Sequence, residues 1–376
     1  MTDNLPAGSE ATPTVHEGLE GVFAARTRLS RVDGAGGRLV LAGYELEDLA
    51  PRASFEEVVH LLWRGELPSP EQEARLAEAL GSETLNETTR QVLRGAVDQG
   101  ASIVEGLRMG LAVQVCDEDP RIAARQILGR MPSMLAALCR LRLGLEPVES
   151  EADSVAARFL EALLGDRATA EQVRGLETYL NTVADHGLNA STFTARVIVS
   201  TRSDLVSALT GALGALKGPL HGGAPGPVLD TLLEVGTAEC AEQVLAEKLA
   251  RGERLMGFGH RVYEVRDPRA EVLRAAARDV LAADTALLAL ADAVETTALS
   301  LLRSAKPGRR IETNVEFYTA VLLHALEVPV DAFTGVFALG RAAGWCAHCF
   351  EQLDRGRLIR PRALYVGEEG AAYSAR

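Results

Sequence analysis

From Pro51 to about residue 354 the chain runs through one helix-forming segment after another, most of them separated by Gly or Pro. Ser54-Phe-Glu-Glu57 is a capping box. The serine hydroxyl accepts from a backbone N–H three residues on, and the glutamate reaches back to the serine N–H, so two donors left bare at a helix start are satisfied together. Ser69-Pro-Glu-Gln72 is a second, with Pro70 at the first helical position, where a missing N–H does no harm. Amphipathic periods predict further helices at about 86–98, 122–143, 154–164, 169–184, 191–213, 239–252, 268–283, 285–304, 313–326 and 333–354. Aromatics make up only 5% of the chain, while Ala, Leu, Arg and Glu are plentiful, which favours helix. Before Pro51, Gly34, Gly36 and Gly37 between LSRVD and RLVLAGYEL predict a short hairpin. The expected class is all-α with a little β near the N-terminus. No fixed-period repeat and no long heptad run is present.

At 376 residues the chain can bury a large core and divide into two domains. Two breaker segments are candidate hinges, GPLHGGAPGP at 218–227 and VPVD at 328–331. If both bend, residues 223–326 form a smaller helical domain, and 19–222 with 327–376 form a larger one, with a cleft between. Residues 1–18 read as an acidic, polar, disordered tail. They have no basic start and no apolar stretch, so they are not a signal peptide. The apolar run 317–340 is interrupted by His324, Glu327, Pro329 and Asp331, so it reads as two buried helices with a turn at Val-Pro, not a membrane span. A net charge of −13 argues against a broad nucleic-acid surface. An anionic small molecule remains open wherever arginines gather locally.

Five scattered cysteines argue against a disulfide framework and fit a reducing cytoplasm. Cys346 and Cys349 bracket His348 in CAHC. No second Cys/His pair lies near to complete four zinc ligands, so the motif reads as two small apolar residues on one helix face.

Chemistry concentrates where helix formers give way. Of seven histidines, His60, His324 and His348 fall inside amphipathic helices and read as helix-face or core residues, and His16 lies in the tail. His186, His221 and His260 instead sit among breakers, in ADHGLN, GPLHGGAPGP and MGFGHRVYEVRDPRA. Singly each could be a capping or turn residue; together they suggest polar groups presented to a cavity. GFG lacks the third glycine and the preceding strand of a dinucleotide fingerprint. There is no Walker lysine loop and no Gly-x-Ser-x-Gly elbow. Arg261 and Arg269 follow His260, Arg341 lies in the apolar FALGRAAGW, and Arg360 and Arg362 lie in LIRPRALY. An arginine in an apolar helix needs a carboxylate, from the protein or from a substrate, and several of them near loop histidines suggest a di- or tricarboxylate site.

At these residues the chain resembles the citrate synthase family, over about residues 18–367. The matching stretches include GLEGVFAARTRLSRVDG, HLLWRGELP, RMPSMLAALCRLRLGLEPVE, ADHGLNASTFTARV, ALKGPLHGGAP, MGFGHRVYEVRDPRA, NVEFYTAVLLHAL and GRAAGWCAHCFEQLDRGRLIRPRALYVG. The resemblance implies a two-domain helical fold, a homodimer, and an acyltransferase of the tricarboxylic acid cycle that condenses acetyl-CoA with oxaloacetate and hydrolyses the citryl thioester. It implies that His221 hydrogen-bonds the thioester oxygen, and that His260 polarises the oxaloacetate carbonyl and gives it a proton. It further implies that His186, Arg269 and Arg341 hold oxaloacetate and that Arg360 reaches the neighbouring subunit's site. Gly257, Phe258 and Gly259, with Asn314, would contact CoA, which is a substrate; no cofactor and no metal are implied. Partners are then oxaloacetate, acyl-CoA and a second copy, with no nucleic acid and no membrane, in the cytoplasm.

An enolate needs a donor as its charge develops, and a neutral imidazole at His221 suits that task. The expectation is that a helix starting after His221 keeps it neutral, as in the handling of histidine by triosephosphate isomerase.

The base departs from the pattern: where the family carries Asp in PNVDFY, this chain has ETNVEFY, and the acid is Glu316. One more methylene reaches about 1.5 Å further, and misplacement by about 1 Å can lower a rate on the order of 100-fold. Either the backbone or rotamer compensates and leaves a working base, or the chain is a divergent relative with slow or altered chemistry; the bland reading of Glu316 is a carboxylate favoured at a helix N-terminus. Val183, Gly187, SIVEGLRMG and GGAPGP also depart from the commoner family residues. Two alternatives stay open: a 2-methylcitrate synthase that uses propionyl-CoA, and a non-catalytic relative that binds CoA or oxaloacetate.

Overall fold

The computed structural model describes residues 14–221, 225–259, 263, 265–282, 285–308, 310–371 and 373. Most of the expected N-terminal tail, together with His260 and Arg261, lies outside the described residues. Where that expected tail ends, Glu17–Leu19 forms a single 3-10 turn.

The hairpin expected around Gly34–Gly37 is present, between β1 (Ser30–Asp33) and β2 (Arg38–Leu41), antiparallel with Ser30 opposite Leu41. Asp33 closes the turn by accepting from the Gly36 N–H at 2.8 Å, and Gly37 takes φ +62°, a conformation glycine adopts without strain. A third short strand, β3 (Tyr44–Glu45), extends the sheet after a tight turn at Ala42-Gly43.

The other described elements are helices. In order come α1 (Leu46–Leu49), α2 (Phe55–Arg64), α3 (Pro70–Gly81), α4 (Glu87–Asp98), α5 (Ile103–Ala112), α6 (Pro120–Arg142), α7 (Val155–Leu164) and α8 (Ala170–Val183). Then follow α9 (Ala190–Ser200), α10 (Leu205–Leu216), α11 (Pro225–Val235), α12 (Ala241–Ala250), α13 (Pro268–Val280), α14 (Thr285–Ala305), α15 (Val315–Ala325) and α16 (Phe333–Arg355). Both capping boxes read from the sequence form. None of the described helices is long and apolar enough to cross a membrane.

One local expectation fails, and two helices lie where the periodic reading places none. The run 191–213 is two helices, α9 and α10, because the chain turns at Arg202 (φ +69°) and Asp204 caps a new start by accepting from Ser207 N–H at 2.7 Å. Neither Gly nor Pro marks that break. Helix α5 begins with a capping box at Ser102 and Glu105 that the periodic reading passed over. Helix α11 begins inside the Gly/Pro segment, where Pro225 and Pro227 fall in a first turn whose N–H groups need no intrahelical partner.

Helix α16 is the axis of the assembly, packing on α2, α6, α8, α9 and α10. It is apolar all round and buried from Phe333 to Phe350, apart from a half-buried Thr334 and Phe337. Two of its glycines let it close on the end of α8. A Cβ at Gly340 would lie 2.9 Å from the Leu180 carbonyl oxygen, and one at Gly344 would collide with the Ala184 carbonyl oxygen. This close crossing brings Arg341 and His348 against residues 183–185.

Glu56 shows what burial does to an acid in this core. Its Oε1 accepts from Val155 N–H at 2.8 Å, at the N-terminus of α7. Burial nevertheless pushes its pKa up to about 7. Below the ordinary carboxylate pKa both folded and unfolded chains hold the proton. Between there and about 7 only the folded chain keeps it, so stability falls as pH rises through that window and is flat above it. Glu56→Gln is therefore expected to raise the melting temperature at pH 8 and to change it little at pH 4.5; thermal melts at the two pH values check this.

Candidate active site

His221 lies between α10 and α11, on a turn closed by its own N–H donating to the Gly218 carbonyl at 2.9 Å. Its Nε2 is 2.9 Å from Ser191 Oγ, and the Ser191 backbone N–H donates to it at 3.3 Å. An N–H pointing at Nε2 requires a lone pair there, so the ring is neutral with its proton on Nδ1. Ser191 belongs to the first turn of α9, which Asn189 caps. A helix start that holds His221 neutral is thus that of α9, distant in sequence. A second proton on the ring would face the positive end of that helix. Burial and the nearby Arg341 charge both push the His221 pKa down. Trp345 on α16 completes the support by donating to Ser191 Oγ at 3.2 Å.

Glu316 stands in the first turn of α15, whose cap Asn314 accepts from the Glu316 N–H at 3.0 Å. Burial raises its pKa, the charge on Arg269 opposes this, and the carboxylate of Asp267 adds to it. Gly257–Gly259 is laced to the chain just before Glu316. Asn314 N–H donates to the Gly257 carbonyl at 3.0 Å, Gly259 N–H to the Glu312 carbonyl at 2.8 Å, and Asn314 Nδ2 to the Gly259 carbonyl at 2.8 Å. The Phe258 and Phe317 rings pack 5.3 Å apart. At Gly257 (φ +89°) a Cβ would press on Phe317 and Val228 at 3.1 Å, so the close approach depends on glycine.

Arg269 sits in the first turn of α13 and is buried, with Nη2 2.9 Å and Nε 3.0 Å from the two oxygens of Asp267. Asp267 also caps α13 and accepts from the Val315 N–H at 3.1 Å, tying α13 to α15. His186 follows α8; its Nε2 is 3.1 Å from the Tyr263 hydroxyl. Tyr263 also lies under the Arg269 guanidinium, 5.7 Å from its ring centroid.

Arg341 differs from Arg269. It is 2% exposed, donates from Nε to the Val183 carbonyl at 2.6 Å, and lies 4.7 Å over the Phe337 ring. Among the described residues no carboxylate comes within ion-pair distance of it. Burial pushes its pKa down to about 10, Asp185 opposes that and Arg269 adds to it, and the group remains a cation at neutral pH.

Residues far apart in the chain therefore converge. His221 feels Arg341, Arg341 feels Arg269, and Arg269 feels Glu316. His221, Glu316, Tyr263, Asn314 and Gly257–Gly259 line one open cleft of about 1140 Å³, with Arg254, Lys306 and Arg310 also in its wall. Arg360 is not among them; it is exposed in the irregular stretch after α16. His260 lies outside the described residues, so its expected place is undescribed.

The sequence reading missed Asp267, Asp185, Ser191 and Tyr263. Only Asp267 left a signal, an Asp-Pro pair at a helix start. The acceptor of Ser191 comes from 30 residues away and has no local pattern.

Residues 18–362 match the family described as citrate synthase, C-terminal domain. The citrate synthase of Haloferax volcanii is 39% identical over 369 residues, covering 94% of this chain and 96% of that one. The citrate/2-methylcitrate synthase of Bacillus subtilis is 35% identical over 363 residues, covering 93% and 96%. The fold is similar to a Thermoplasma acidophilum citrate synthase solved in ternary complex with carboxymethyl coenzyme A and oxaloacetate, with a TM-score of 0.85, 30% identity and coverage of 97% and 99%. With His221 and Glu316 lining one cleft and these relatives matched over nearly the whole length, the chain belongs to the citrate synthase family.

Proposed function

We propose that the cleft condenses acetyl-CoA with oxaloacetate and hydrolyses the resulting citryl thioester to citrate and CoA. Glu316 takes a proton from the thioester methyl group, and the electron pair moves onto the thioester oxygen. His221 meets that oxygen with its Nδ1–H, where a neutral donor matches the developing charge without a formal cation. The enolate carbon attacks the oxaloacetate ketone, whose oxygen takes a proton from His260. Water then cleaves the thioester and releases the thiol. Glu316 as base is served by its raised pKa, which brings its proton affinity closer to neutral pH than that of an ordinary carboxyl.

The single observation carrying this reading is Arg341. A buried guanidinium is held in the protein by hydrogen bonds and a partner charge, and here no carboxylate among the described residues pairs with it directly. A substrate carboxylate fills that role, with Arg269 and His186 beside it. The CoA thioester lies along Gly257–Gly259 and Asn314, and the cationic wall of Arg254, Lys306 and Arg310 suits its phosphates. Residues 19–222 with 327–376 form the larger domain and 223–326 the smaller. Segments 218–227, of which residues 222–224 lie outside the described residues, and 328–331 are the hinges between them. The irregular end of the chain exposes Leu358 (56%) and Val366 (89%) around Arg360, as suits an arm laid on a second copy in a homodimer.

Thiol release with oxaloacetate and either acetyl- or propionyl-CoA tests the reading. Release is expected to need both substrates and to rise with pH through a titration above that of an ordinary carboxyl, because Glu316 must be ionised to act as base and its pKa is raised. One methylene separates the two acyl groups by only about 1–3 kcal/mol, so the ratio of the two kcat/KM values assigns the acyl preference. No release with either thioester, although CoA binds, would point to the non-catalytic alternative.

A further inference from the structure

We propose that His348 is the centre of a buried relay, running from Glu351 through Arg196 and His348 to Asp185, that keeps Asp185 off Arg341 and so leaves that guanidinium available to oxaloacetate. The proposal rests on the condensing function given above and makes His348 a positioning residue.

His348 is fully buried on α16. Its Nδ1 is 2.8 Å from Arg196 Nη1 on α9, and its Nε2 is 3.1 Å from Asp185 Oδ1. A guanidinium only donates, so Nδ1 holds a lone pair, Nε2 carries the hydrogen, and that hydrogen goes to Asp185. A second proton, on Nδ1, would have to displace Arg196. The tautomer is therefore set by the far end of the relay. There the same Arg196 Nη1 is 3.0 Å from Glu351 Oε2, Arg196 Nε donates to Gln352 Oε1 at 3.3 Å, and Glu351 Oε1 accepts from the Arg28 N–H at 2.9 Å.

Asp185 is held from its other side too. Ser30 Oγ donates to Oδ2 and accepts from the Gly187 N–H at 2.8 Å. Both carboxylate oxygens are engaged, and His186 lies between the two pinned residues. Burial alone would raise the Asp185 pKa, but His348, the field of Arg341 and the Ser30 hydroxyl outweigh it and hold the carboxyl ionised. Asp185 is thus a buried anion close enough to act on Arg341, yet it forms no ion pair with it. Without the His348 donor the nearest compensation for that anion is the Arg341 guanidinium, and such a pair competes with substrate. This gives a role to the histidine of CAHC, whose flanking cysteines are buried free thiols.

The test compares His348→Leu, His348→Gln and Ser30→Ala with the wild-type chain. Oxaloacetate affinity is measured by calorimetry without acyl-CoA, and KM is measured for each substrate. Loss of a hydrogen bond to a buried charge predicts that His348→Leu weakens oxaloacetate binding about 10-fold or more. The acyl-CoA KM should stay within about twofold, a split that general loosening does not produce. His348→Gln, which offers an amide donor and an oxygen acceptor, should recover most of the loss. Ser30→Ala, at the opposite oxygen, should shift oxaloacetate alone by about threefold or more. Wild-type oxaloacetate affinity in His348→Leu, or an equal rise in both KM values, overturns the relay. If His348→Leu fails to fold, unchanged oxaloacetate affinity in Ser30→Ala overturns it. A wild-type chain that does not bind oxaloacetate overturns the condensing function itself, so the two failures are told apart.

Discussion

Glu316→Gln is expected to lower kcat by about 10²- to 10⁴-fold, the range general-base catalysis supplies, while oxaloacetate affinity measured by calorimetry stays within about threefold. The amide has the size of the carboxyl and can occupy the same place in the first turn of α15, under the cap of Asn314. What it lacks is a site for the methyl proton. Removing a carboxyl that is costly to ionise in its surroundings should also leave the melting temperature unchanged or higher. A variant that turns over near the wild-type rate would show that the base lies elsewhere. Glu316→Asp sharpens the test. The Gly257–Gly259 loop is fixed to residues 312–314 by three hydrogen bonds, so the backbone cannot readily advance to meet a shorter acid. Retraction by about 1.5 Å should therefore lower kcat about 10- to 100-fold. Equal or faster turnover with Asp would mean that the site is built for the shorter side chain.

Arg341→Leu is expected to weaken oxaloacetate binding by more than about 100-fold. A bidentate guanidinium–carboxylate pair comprises two charge-assisted hydrogen bonds, together worth about 3 kcal/mol or more. Leucine keeps an apolar side chain against Phe337 on α16, so the ligand-free variant should still melt cooperatively. The rise in melting temperature that oxaloacetate gives the wild-type chain should vanish in the variant. An undiminished rise would remove the observation on which the substrate assignment stands.

Many helices were readable from local signals, though the capping box of α5 at Ser102 and Glu105 was passed over. Serine caps at 54 and 69 work through atoms three residues apart, and the same short-range geometry exists in the string of letters and in the fold. The break between α9 and α10 was not readable, because Arg202 turns the chain without Gly or Pro and only the Asp204 cap marks the restart. The start of α11 was hidden by an ambiguity: Pro in a loop and Pro in a first helical turn look alike along the chain.

The parts of the site can be read along the chain: three histidines set among Gly and Pro, a carboxyl at 316, arginines at 269 and 341, and the motifs that carry the family resemblance. Their electrical state was decided only by tertiary structure. His221 is neutral because a helix beginning 31 residues earlier aims an N–H at it; Arg341 meets no carboxylate at ion-pair distance among the described residues, a glycine-lined crossing brings it to the Val183 carbonyl, and Asp185 is hydrogen-bonded to His348 and Ser30. Protonation and pairing depend on burial and on which groups meet in space, and both are properties of contacts between distant segments, which local sequence does not encode.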